Sequence, residues 1–164
     1  MTQRLKLLPI LLAAGAAGCA NGVAPGEGPS AGSIVQGGIE YAAETLILES
    51  FPVQLSTTVR MRNRSGARAD VRLGSGCPVQ LRVFKDAART ALAWDQGRVL
   101  VCTKEIQIVD LASGDSAQRT TRTNAREILG DSLPDGRYHL SAYVQVVGAP
   151  VLAAAGSADL AIPR

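Results

Sequence analysis

The chain has 164 residues, 17 basic and 14 acidic side chains, a net charge of +3, three cysteines and one histidine. Such a length suits one domain with a sizeable core. The small net charge implies no nucleic-acid partner, a single histidine gives little from which to build a metal site of three or four ligands, and no phosphate-cradling glycine loop points to a cofactor.

Residues Met1 to Lys6 carry Arg4, Lys6 and a free amine, and Leu7 to Gly18 is almost wholly apolar. A positive head, a short apolar run and small residues are the anatomy of a secretory signal, here residues 1–18. The run is about 12 residues where a spanning helix needs about 20, which argues against a transmembrane anchor. The segment Ala16-Ala17-Gly18-Cys19 resembles the bacterial lipobox, with Ala16 in a place where Leu is commoner. The resemblance implies cleavage before Cys19 and acyl chains such as palmitate on that residue. At roughly 0.8 kcal/mol per buried methylene, two or three chains give stable membrane attachment. An ordinary signal cleaved near the same alanines is the alternative. Ala20, rather than Asp, after the cysteine favours an outer-membrane destination in a Gram-negative envelope. Cleavage also removes two of the 17 basic residues and leaves 15 against 14 acids, a mature charge of +1.

Ala20 to Gly38 is rich in Gly, Ala, Pro and Ser, with Glu27 its one charge. It lacks the apolar pattern that offsets ordering entropy. Residues 19–38 therefore read as a lipidated tether, with a typical reach of roughly 25 Å, and residues 39–164 as the domain.

Ile39 to Leu48 admits a helix, with Ile39, Ala42, Ala43 and Leu46 on one face. Further on, strict alternation predicts strands buried on one side. Leu55, Thr57, Val59 and Met61 share a face, as do Ala69, Val71 and Leu73, then Val79, Leu81 and Val83. Lys104 to Leu111 changes phase between Ile108 and Val109, which a bulge explains. Gln118 to Leu129 is polar and reads as an edge strand or a short helix. Tyr138, Leu140, Ala142, Val144 and Val146 alternate again, as do Ala158, Leu160 and Ile162. Turn chemistry separates the runs at Asn63 to Gly66, Ser113 to Asp115 and Pro134 to Gly136. About seven or eight short strands at this spacing predict an all-β, immunoglobulin-like antiparallel sandwich. Tyr138, just after a glycine turn, resembles a tyrosine corner; a core tyrosine without a special bond is the alternative.

Cys77 and Cys102 remain after Cys19 is lipidated. In an oxidising compartment they are expected to pair, and closing a loop of about 25 residues contributes roughly 3.5 kcal/mol by loop-closure entropy. Trp94 lies inside that loop, before Asp95, and packing of its indole on the bridge is an expectation that spacing does not show.

His139 is the lone histidine, and alternation turns it away from Tyr138 and Leu140. No Gly-x-Ser-x-Gly elbow surrounds any serine, and Asp131 and Asp135 sit where turns form. The chain is therefore not expected to be an enzyme, with a hydrolase as the distant alternative. Arg60, Arg62 and Arg64 alternate on one strand face and form a candidate binding face, or else a solvated one that protects an edge.

The order Val59 to Asn63, Ser65-Gly66, Val79 to Val83 before Asp86, Trp94, Ser113 to Asp115 and Leu133 to Tyr138 resembles the BsuPI-like intracellular proteinase inhibitor domain family. The match runs from about Val53 to Val147. It implies an immunoglobulin-like sandwich that binds a protein, a protease being the sharpest version. The export signal and the Cys77–Cys102 pair depart from that family, and no reactive-loop motif matches, so no inhibitory residue is carried over. The expectation is a membrane-anchored envelope lipoprotein with an unidentified protein partner; a structural lipoprotein without a ligand is the alternative.

Overall fold

The computed structural model describes residues 32–130 and 132–162. Cys19, the expected signal, most of the expected tether and Asp131 lie outside the described residues. Among the described residues the chain forms β1 (Ile34–Gln36), β2 (Ile39–Leu48), β3 (Gln54–Asn63), β4 (Ala69–Leu73), β5 (Val79–Phe84), β6 (Leu92–Asp95), β7 (Gln107–Leu111), β8 (Ser116–Asn124), a short helix α1 (Ala125–Leu129), β9 (Gly136–Val144) and β10 (Val151–Leu160). A 3-10 turn at Gln96–Arg98 follows β6. No helix in this part is long and apolar enough to cross a membrane.

The strands make two four-stranded antiparallel sheets, ordered β1-β2-β3-β8 and β10-β9-β5-β6, with β4 and β7 paired as a separate ribbon. The chain is an all-β antiparallel sandwich, as the alternation predicts. Its core is the inward set of both sheets. Leu55, Val59 and Met61 of β3 meet Leu81 and Val83 of β5 and Leu140, Ala142 and Val144 of β9 in one buried cluster. Each of these side chains removes apolar area from water at about 25 cal/mol per Å². The period-2 pattern places them because successive strand side chains point to opposite faces.

Four expectations change. The stretch 34–36, assigned to the tether, is strand β1, so the sheet begins ahead of Ile39. Gly37 and Gly38 both have positive φ, the requirement of a two-residue hairpin turn, and this returns β1 onto β2. Ile39–Leu48 is a strand throughout, paired residue for residue with β3. Cross-strand hydrogen bonding and the Thr45–Thr57 hydroxyl contact (2.8 Å) outweigh its helical periodicity. The phase change before Leu111 is no bulge: β7 starts only at Gln107 and runs in unbroken register with β4. Gln118–Leu129 is both things in turn, edge strand β8 and then α1. Asn124 caps that helix by accepting from the Glu127 N–H (2.9 Å).

Two side chains lock the ends of the sandwich. Buried Asn63 donates to the carbonyls of Ala67 (2.6 Å) and Leu111 (2.9 Å) and accepts from the Ser65 N–H (2.9 Å), tying β3 to the β4–β7 ribbon. Tyr138, at the start of β9, donates from its hydroxyl to the Pro134 carbonyl at 2.7 Å, a tyrosine corner. Burial and the nearby Asp135 carboxylate raise the Tyr138 hydroxyl above its ordinary pKa, which keeps it a donor.

Candidate functional site

Among the described residues a cleft of about 410 Å³ opens between β8 and the segment that precedes β5. Arg119, Thr120, Thr121 and Arg122 of β8 line one side. Gly76, Cys77, Pro78 and Val79 line the other, with Leu100 and Gln107. The cleft exists because β8 is the last strand of its sheet. One edge of β8 pairs with β3 from Gln54↔Asn124 to Arg62↔Ser116, and the other faces the cleft.

The far wall is held rigid by cross-links between distant parts of the chain. Cys77 and Cys102 form a disulfide with Cα atoms 5.6 Å apart across 25 residues, as the two-thiol argument predicts. Beside it the Gly76 N–H donates to the Thr103 carbonyl (3.0 Å). Glycine is needed at 76 because a Cβ there would run into the Thr103 hydroxyl. The adjoining connection exposes Val99, Val101 and Ile106, and Ile108 extends the apolar surface into β7.

Gln96 closes one end of the cleft. It is buried, its carbonyl accepts from the Leu81 N–H (2.8 Å) and the Thr121 hydroxyl (2.9 Å), and its amide donates to the Arg122 carbonyl (2.8 Å). One side chain thus bridges β5 and β8, which have no strand hydrogen bonds between them.

Two arginines and no acid line the cleft. Among the described residues the Arg119 guanidinium donates to the Gln118 carbonyl (2.8 Å) and to no carboxylate, and Arg122 joins no ion pair. Other arginines are neutralised by neighbours. Arg64 pairs with Glu40 (2.7 Å), Arg68 with Asp110, and Arg137 with Asp159 (3.2 Å). Arg82 lies 3.8 Å over the Tyr143 ring and pairs with Asp95 at 3.0 Å.

The predicted residues scatter. Arg60 and Arg62 point from the outer face of β3, opposite Gln118 and Ser116, while Arg64 lies past the strand end on Glu40; none of the three lines the cleft. His139 sits on the outer face of β9 between Phe84 and Ser157 in register. No hydrogen bond among the described residues joins it to Ser141. Trp94, half-buried on β6, packs against the core and pairs with Val83. No group of three potential metal ligands gathers among the described residues. The cleft residues Arg119 and Arg122 are absent from the sequence-based candidates. Their signal was present as the polar run Gln118 to Asn124, but which wall faces them is set by sheet order.

No family model and no curated protein sequence matches this chain. Among solved structures it is similar to a β-glucosidase from Listeria innocua in complex with isofagomine, at TM-score 0.36 and 12% identity over 72% of this chain. It is similar also to a Bifidobacterium adolescentis GH3 β-glucosidase, at TM-score 0.36 and 16% identity over 76% of this chain. The chain spans only 16% and 18% of those two proteins.

Proposed function

We propose that this chain is a lipid-anchored envelope protein whose sandwich domain works by binding, not by chemistry, and that the cleft beside β8 receives an extended segment of a protein partner. The observation that carries the reading is a nine-residue strand edge that pairs with no further strand among the described residues and faces a wall cross-linked by a disulfide. An exposed strand edge is a template for another chain, and a pre-ordered wall lowers the entropy lost on binding. The resemblance to the BsuPI-like inhibitor domains supports the same class of function, with a protease as one partner to test. The lipobox-like Ala16-Ala17-Gly18-Cys19 supports attachment through Cys19, and Ala20 supports an outer-membrane destination.

Two experiments test this. Cys19→Ser is expected to abolish acyl labelling and move the protein out of the membrane fraction; labelling that persists refutes the anchor. A photo-crosslinking residue at Thr120, beside the cleft, is expected in the full chain to capture a discrete envelope protein, while the same probe at Asp159, exposed on β10 of the other sheet, captures none. Equal capture from both positions, or none from either, removes the cleft as a binding site.

A further inference from the structure

We infer that the segment received by the cleft is acidic, and that it adds to β8 as an antiparallel strand carrying two carboxylates three residues apart. This rests on the binding reading above and names the partner's chemistry.

The edges of the two sheets are not equivalent. β1 has 3 residues and β6 has 4, too short to template much pairing. β10 is long, but its register breaks between Ala154 and Ser157. It is also crowded by Gly32, where a Cβ would lie 2.5 Å from that of Ala154. Bulges and covering chain are the usual means of blunting an edge. β8 has no bulge, its nine residues holding one unbroken register with β3, and among the described residues the Gln96 side chain covers its free edge at Arg122 alone. Its protection is charge, from Arg119 and Arg122.

Charge also selects among occupants. A second copy of this chain is disfavoured, because joining two β8 edges brings Arg119 and Arg122 of both copies to one seam whose cleft is lined by no acid. Like charges brought together across a strand pair destabilise it. An acidic strand reverses the sign of that term. Arg119 and Arg122 are three apart and so leave β8 on opposite faces. The residues facing them on an added strand are likewise three apart and on opposite faces. The surroundings offer a strand edge and the apolar Val79 and Leu100, which suits a peptide backbone better than a polyanionic sugar. Gln96 already occupies the Arg122 carbonyl, so the added strand ends there.

The test uses the mature full-length chain carrying Cys19→Ser, panned with a displayed library of random linear dodecapeptides. Enrichment of peptides with two Asp or Glu three positions apart is expected. The Arg119→Glu/Arg122→Glu double variant is expected to lose affinity for those peptides by roughly tenfold or more and to select Lys or Arg instead. An intact Cys77–Cys102 bridge and an unchanged thermal midpoint serve as folding controls. Enrichment without acidic bias, acidic binders indifferent to charge reversal, or equal competition by a sulfated polysaccharide overturns the inference. A partner crosslinked from Thr120 through a segment lacking acids leaves the binding reading standing and removes only this one.

Discussion

The side-chain amide of Gln96 reaches the backbone carbonyl of Arg122 at 2.8 Å, while its own carbonyl takes the Leu81 N–H. A single glutamine therefore stands in for the strand that neither sheet supplies between β5 and β8. Replacing it with alanine leaves a buried donor, the Leu81 N–H, and a part-buried acceptor, the Arg122 carbonyl, without these partners. The expected loss is about 1–3 kcal/mol, read from the denaturant midpoint. A loss near zero would mean that water replaces the amide without cost.

Tyr138→Phe keeps the buried ring and removes the bond to Pro134. Destabilisation of about 1 kcal/mol is expected, well below the roughly 3–5 kcal/mol expected of Tyr138→Ala by analogy with large aromatic truncations. Thermal melts of the two variants separate the hydroxyl's part from that of the ring. Equal losses would contradict a tyrosine corner.

Cys77→Ser with Cys102→Ser removes a cross-link spanning 25 residues. Stability is expected to fall by about 2–4 kcal/mol. Because the bridge also holds the cleft wall, capture of a partner from Thr120 should weaken even at temperatures where the domain stays folded. Undiminished capture in the folded variant would show that the wall needs no bridge.

Asp86 shapes the β5–β6 turn. Its carboxylate accepts from the backbone N–H groups of Thr90 (3.0 Å) and Ala91 (2.6 Å) and from the Thr90 hydroxyl (2.9 Å). These bonds, the Thr90 N–H foremost, hold the carboxyl below its ordinary pKa. A folded-state pKa below the unfolded value, about 3.9, means stability that is present above that pH and lost as pH falls through the folded value. Asp86→Asn should therefore lower the melting temperature at neutral pH, and the gap from the parent protein should close as pH falls through the folded-state value. A gap that persists in strong acid would place the effect in packing rather than in charge.

How much of this was legible in sequence varies by element. The runs Leu55 to Met61, Val79 to Val83 and Tyr138 to Val144 announced buried strands, because alternation is local and the core rewards it residue by residue. Ile39–Leu48 did not: its apolar residues satisfy a helix as well as a strand, and only pairing with β3 decides. Ile34–Gln36 is too short to signal anything until Gly37 and Gly38 fold it back. Among chemical features, two cysteines in a chain whose first residues read as an export signal predict their own bridge. Arg60, Arg62 and Arg64 looked like a shared surface because of their spacing, yet Arg64 leaves the strand for Glu40.

The sequence by itself determined the alternating core, the turns, the Cys77–Cys102 pair and the residues around Tyr138, all of which follow from local period, backbone preference or thiol count. Tertiary structure alone decided that β8 is an edge, that Gln96 bridges it to β5, and that Arg119 and Arg122 border a cleft. Those relationships join residues 15 to 45 positions apart, from Leu81 and Gln96 at 15 to Cys77 and Arg122 at 45. Strand order, which sets what lies across from an edge, is fixed by the packing of both sheets together rather than by any one stretch of chain.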